Sequence, residues 1–170
     1  MSNLDTFKDL LRHMEWADAT VWTAVQTLPQ SEPDSKLLGY LSHIHIVQQA
    51  FLRIWRHEEI GTTLPTFETN QALLDWVRPK YPDIFAHLET LTDEDLVTPT
   101  QMPWAAMIEK RLGYKPQVPT LGETILQVAS HSTYHRGQVN TRLRELGGEP
   151  PMVDYIAWIW MGRPAPNWPG

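Results

Sequence analysis

His131 and His135 stand four residues apart in the stretch His131-Ser-Thr-Tyr-His135-Arg-Gly-Gln138. A helix turns about 100° per residue, so side chains four apart lie one above the other and two imidazoles can converge on one point. That is how a helix offers two nitrogen ligands to a single metal ion. Spacing alone does not establish such a site. With seven histidines in 170 residues, an i, i+4 pair arises readily by chance, and one histidine hydrogen-bonded in a core beside a half-exposed one gives the same pattern.

The pair needs a helix under it, and the flanking residues specify one. Thr120 followed by Glu123 reads as a capping box, in which each side chain satisfies a backbone N–H of the first turn. Leu121, Ile125, Val128, Ala129, Val139, Leu143 and Leu146 recur at three and four, giving one apolar stripe. Gly147-Gly148 supplies a left-handed stop and Pro150-Pro151 forbids continuation. His135 falls on the edge of the stripe and His131 a little further round, so both point towards a bundle interior or its mouth. Gln138, one turn from His135, can hydrogen-bond beside the site. Tyr134 and Arg136 are turned away by about 100° each, which suits an interface or a bond to a neighbouring helix.

A second helix, from Ser35 to His57, carries Leu37, Tyr40, Leu41, Ile44, Val47, Phe51, Ile54 and Trp55 on its apolar face. His43 and His45 lie on it about 200° apart and cannot serve one site equally. Above His43 come Val47, Ala50 and Ile54; above His45 come Gln48, Gln49 and Arg53. By its neighbours, His43 is the one on the buried flank.

Two further helices complete the pattern. The first, from about residue 4 to 28, has Leu4, Phe7, Leu10, Leu11, Met14, Ala17, Val21, Val25 and Leu28 at helical spacing, with Ser2 or Asn3 as cap and Pro29 as stop. Trp16 and Trp22 flank its stripe as packing residues, and His13 and Glu15 are expected to be solvated. The third opens at Thr69-Asn70 and runs through Leu73, Leu74, Val77, Tyr81, Ile84, Phe85, Leu88 and Leu91. Its period carries across Pro79 and Pro82, as in one long kinked helix. Thr92 to Val97 reads as a capped helical turn. Thr98 to Pro119, with four prolines and Gly113, reads as an irregular crossover with short strand-like pieces near residues 97–102 and 114–118. A connection this long inside a domain is often functional. Asp154 then caps a short apolar helix, Tyr155 to Met161, and a Pro-rich tail begins near Gly162.

Composition narrows the function classes. The chain is long enough for one domain with a sizeable core and too short for two. A net charge of −6 with no run of Lys or Arg argues against nucleic acid or an anionic membrane surface as partner. The absence of cysteine excludes disulfides, thiolate ligands and a cysteine nucleophile, so any thiol chemistry would use a thiol from outside. No signal-like N-terminus and no apolar run of about 18 residues is present, and the expected compartment is the cytoplasm.

Taken together, these residues resemble the DinB/YfiT-like superfamily of small metal-binding four-helix bundles over nearly the whole chain. The most specific match is His131 to Val139, followed by Leu143-Arg-Glu-Leu-Gly-Gly, Pro150-Pro151 and Asp154-Tyr155. Leu41-Ser-His43-Ile-His-Ile-Val, the Trp16-Ala17-Asp18 element and Thr92-Asp-Glu-Asp-Leu add to it. The resemblance implies an all-α four-helix bundle over residues 1–170, with a long crossover before the fourth helix and a short C-terminal helix. It implies a three-histidine metal site of His43, His131 and His135. Zinc or nickel suits an all-nitrogen site, as do iron, manganese or copper. Relatives of this kind include transferases and isomerases that use glutathione, mycothiol or bacillithiol, as well as damage-induced proteins with no assigned reaction. The expectation is therefore a metal-activated thiol attacking a small electrophile, with metal-activated water in a hydrolase, or a non-enzymatic metal-binding stress protein, as alternatives. Eight Trp and an apolar last helix point to more hydrophobic surface than one small bundle buries, hence to a homodimer.

Overall fold

The structure is a computed structural model that describes residues 3–28, 34–61 and 63–170. Its helices are α1 (Asn3–Gln26), α2 (Ser35–Trp55), α3 (Asn70–Val77), α4 (Tyr81–Leu88), α5 (Ala105–Leu112), α6 (Leu121–Glu145) and α7 (Tyr155–Trp160). The expected stops and caps at Ser2 and Pro29 lie outside the described residues. Asn3 is the first helical residue rather than a cap.

Local chemistry accounts for the ends. Asp34 caps α2 by accepting from the Leu37 N–H at 2.7 Å, and Thr69 caps α3 by accepting from the Ala72 N–H. At α6 the capping box is complete: Thr120 accepts from the Glu123 N–H, and Glu123 accepts from the Thr120 N–H. The helix ends at Gly147 with φ 80°, a conformation in which a Cβ is strained. Asp154 occupies the N-cap position of α7, but its side chain makes no capping bond. A 3₁₀ turn at Arg78–Lys80 joins α3 to α4. The prolines thus change the pitch without ending the run, and Leu73, Leu74, Val77, Tyr81, Ile84 and Leu88 are all buried.

Four helical rods, α1, α2, α3–α4 and α6, form the bundle. α6 packs against α1 and α2, α4 against α1, and α3 against α2. Gly122 lies against Phe7, and Arg136 against Asp18, so α1 and α6 run parallel. Trp55 meets Thr124 and Arg142 meets Asp34, so α2 runs antiparallel to α6. Lys8 pairs with Glu89, and Tyr81 with Asp18, which sets α4 antiparallel to α1. Consecutive rods α1 and α2 are therefore diagonal, as are α4 and α6. The segment between α4 and α6 crosses the end of the bundle to join them.

That crossover differs from its expected form. It contains α5, none of whose residues is buried, so no apolar period announced it. The strand-like pieces reduce to a single bridge between Pro99 and Thr120, made by the Thr100 N–H to Pro119 O and the Leu121 N–H to Thr98 O. Trp104, at the N-cap of α5, anchors the segment edge-on to Phe51.

The first helix also carries more than its bundle stripe. His13, expected in solvent, is 5% exposed. Its Nε2 lies 2.9 Å from Val153 O, and its ring packs among Trp16, Tyr155 and Trp158. The α7 segment folds back over the outer side of α1, a long-range contact invisible to local periodicity. Trp168 completes that cover. Its ring lies 5.1 Å from Tyr81, and its Nε1–H donates to the half-buried Glu15. No described helix is long and apolar enough to cross a membrane.

Candidate metal centre

α2 contributes His43, and α6 contributes His131 and His135; one ring nitrogen from each lies within 4.8 Å of the other two. His43 Nε2 and His131 Nε2 are 3.1 Å apart. The ring centroids are 5.0 Å apart for His43 and His131, 4.4 Å for His43 and His135, and 4.3 Å for His131 and His135. His135 Nδ1 lies 2.6 Å from Gln138 Oε1, which leaves its Nε2 for the cluster. Tyr134, 66% exposed, meets the His135 ring edge-on at 4.9 Å.

The donor set suits a divalent ion. Two nitrogens about 2.1 Å from one ion and at a tetrahedral angle lie about 3.4 Å apart, within a few tenths of an ångström of the His43–His131 separation. Ligation also requires neutral rings. Burial, then the neighbouring His135 and His43 charges, hold the His131 pKa down at about 4. Burial and the His135 charge likewise lower that of His43. Burial, reinforced by the neighbouring rings, thus keeps the lone pairs of His43 and His131 free at neutral pH.

His43 and His45 exchange their expected environments. His43 is exposed, whereas His45 is 2% exposed. Of the polar residues above His45, Gln48 is buried, while Arg53 stays exposed. Gln48 joins a network in which the Trp22 Nε1–H donates to His45 Nε2 at 2.9 Å, and His45 Nδ1 donates to Gln48 Oε1 at 2.9 Å. Gln48 Nε2 donates to Asp18 Oδ2 at 2.8 Å and to Ser132 Oγ at 3.1 Å. The Tyr81 hydroxyl donates to Asp18 Oδ2 at 2.5 Å. With both ring nitrogens bonded in the core, His45 has no lone pair for a ligand, and His43 is the α2 residue facing His131 and His135.

Of the two roles expected for Arg136, an interface or a bond to a neighbouring helix, the second holds: it is 3% exposed, and its Nη1 donates to Asp18 Oδ1 on α1 at 2.6 Å. Burial alone would raise the Asp18 pKa, but the charges of Arg136 and His45 and the Tyr81 hydrogen bond outweigh it and hold it below the usual carboxylate range. Asp18, Gln48 and Tyr81 escaped the sequence reading as functional positions. Asp18 carried a signal, because it sits between Met14 and Val21 on the apolar stripe of α1, where an unpaired charge could not be buried.

A helical bundle with three histidines converging between two of its rods defines a class of proteins able to hold a metal ion. Within that class, the chain matches the DinB family over residues 1–166 and belongs to it. No match is found among curated proteins.

Proposed function

We propose that the chain is a metal-dependent enzyme in which His43, His131 and His135 hold one divalent ion, for attack of a low-molecular-weight thiol, or of water, on a small electrophile. The observation that carries this reading is the convergence of the three ring nitrogens from two helices. Three protein ligands leave a first-row ion at least one open position, the pattern of catalytic rather than structural sites. A bound ion would supply the positive charge that lowers the pKa of a thiol or water. The chain's own residues supply neutral imidazoles and an open approach, since His43 is exposed while Tyr134 stands beside His135 at the surface. With no cysteine, the chain offers no thiol to compete with an incoming one. Zinc or nickel is the metal proposed, from a donor set that iron, manganese or copper also accept.

Metal analysis after incubation with zinc and with nickel tests the site. Wild type should bind one ion per chain, and His135→Ala, with two of three ligands left, should lose it. Full occupancy in that variant would assign the ligands elsewhere. The metal-loaded protein is then assayed against electrophiles with and without a panel of thiols. Thiol-dependent turnover supports the transferase reading, thiol-independent turnover a hydrolase, and stoichiometric metal without turnover a binding or stress-response protein.

The homodimer belongs to the same proposal. Ile156, Trp160 and Met161, on and just after α7, are 49%, 78% and 53% exposed, an apolar patch suited to a second copy. Light scattering at micromolar concentration should give the mass of two chains; a one-chain mass would remove this part.

A further inference from the structure

The three histidines are not held alike. Among the described residues, His135 is the one whose second ring nitrogen is bonded to another side chain, Gln138 Oε1 at 2.6 Å. The spacing is built into α6, because residues three apart share a helix face. An amide oxygen can only accept, so the His135 Nδ1 carries the proton and the neutral ring presents its Nε2 lone pair. With the proton on the other nitrogen, an N–H would point into the cluster, where a ligand needs a lone pair.

We infer that Gln138 is a positioning residue for His135: it fixes the Nδ1–H tautomer and the ring's rotation, so that Nε2 faces His43 and His131. This rests on the metal reading of the cluster. It goes beyond that reading by assigning to a fourth, non-ligating side chain the choice of which nitrogen binds. Groups that hold a ligand's second nitrogen typically tune metal affinity about 10–100-fold. Gln138 is half-buried on a long helix fixed by its capping box and by Arg136, so its replacement leaves the bundle intact.

The test compares wild type with Gln138→Leu, which cannot accept, and Gln138→Glu, which can only accept, each checked for wild-type helicity. Imidazole ¹⁵N shifts of the metal-free proteins, with His135 assigned from the His135→Ala spectrum, report the tautomer without any ion. Zinc affinity is read by competition with a chromophoric chelator. Wild type and Gln138→Glu should hold His135 as Nδ1–H and bind zinc with similar affinity. Gln138→Leu should show a mixture of tautomers and bind about 10–100-fold more weakly. An Nε2–H ring in the metal-free wild type overturns the inference, as does a Gln138→Leu affinity within twofold of wild type. A wild type that takes up no zinc overturns the metal reading instead, and the metal-free spectra still decide what Gln138 does to the ring.

Discussion

Two polar clusters both draw on α2 and α6, the inner one adding residues of α1 and α4, and they are built on opposite rules. In the inner one, Asp18, Gln48, His45, Tyr81, Trp22, Ser132 and Arg136 answer one another. Gln48 alone bonds to α1 and α6 and to His45 one turn away on its own helix. In the outer one, among the described residues, the ring nitrogens that converge have one another, and Gln138 behind His135. Buried groups that bond one another, as these do except at Arg136 Nε, specify a structure, and lone pairs gathered at a surface are free to take a ligand. Neighbours in sequence fall on different sides of this divide: Ser132 beside His131, Arg136 beside His135, and His45 two residues from His43.

The largest effect should come from breaking the inner cluster at its charge. Asp18→Ala leaves the Arg136 guanidinium buried without its partner, and urea unfolding should register a loss of about 3–5 kcal/mol. A loss under about 1 kcal/mol would mean that water reaches Arg136 and that the cluster is not closed.

Two alanine substitutions on α2 sharpen the contrast. His45→Ala strands the Trp22 N–H and removes one of the donors to the Gln48 carbonyl, which keeps the Tyr81 hydroxyl at 3.2 Å; it should cost about 2–3 kcal/mol, while the folded protein keeps its metal stoichiometry. His43→Ala should do the reverse, abolishing stoichiometric metal binding while the metal-free protein unfolds within about 0.5 kcal/mol of wild type. Equal effects of the two on both measurements would erase the distinction between the clusters.

The acid limb of stability gives a further comparison. Asp18 has a folded pKa below its unfolded value of about 3.9, so its contribution is complete above about pH 4 and lost as pH falls through the lower folded value. Asp18→Asn should flatten that limb in urea midpoints measured from pH 7 to pH 2.

The smallest effect is expected at the surface, where Arg142 bonds hold the Asp34 carboxyl down at about 2 despite partial burial. Its contribution is present above about pH 4 and disappears between about pH 4 and 2. Asn can still cap α2, so Asp34→Asn should remove only the charged part and shift the midpoint less than Asp18→Asn does. A larger shift would show that the half-buried pair, not the fully buried one, governs acid stability.

Much of this was readable from sequence, because the physics involved is local. The capping box at Thr120 and Glu123, the left-handed stop at Gly147 and the helical period of the four rods depend on residues within a few positions of one another. So does the stacking of His131 over His135. Over longer range, the resemblance of the motifs to the DinB family placed His43 opposite them, and the three lie together.

Tertiary structure decided which polar residues are inside. Judged by its own helix, His43 belongs inside and His45 in water; the reverse holds, because Gln48 above His45 finds Asp18 on α1 and Ser132 on α6. Polar side chains are buried wherever partners from other helices satisfy them, and a single helix's periodicity contains no record of those partners. His13 was misplaced for the same reason, by a segment folding back from 140 residues along the chain. Hydrophobic period and capping are properties of one stretch of chain; burial of a charge is a property of what several stretches bring together.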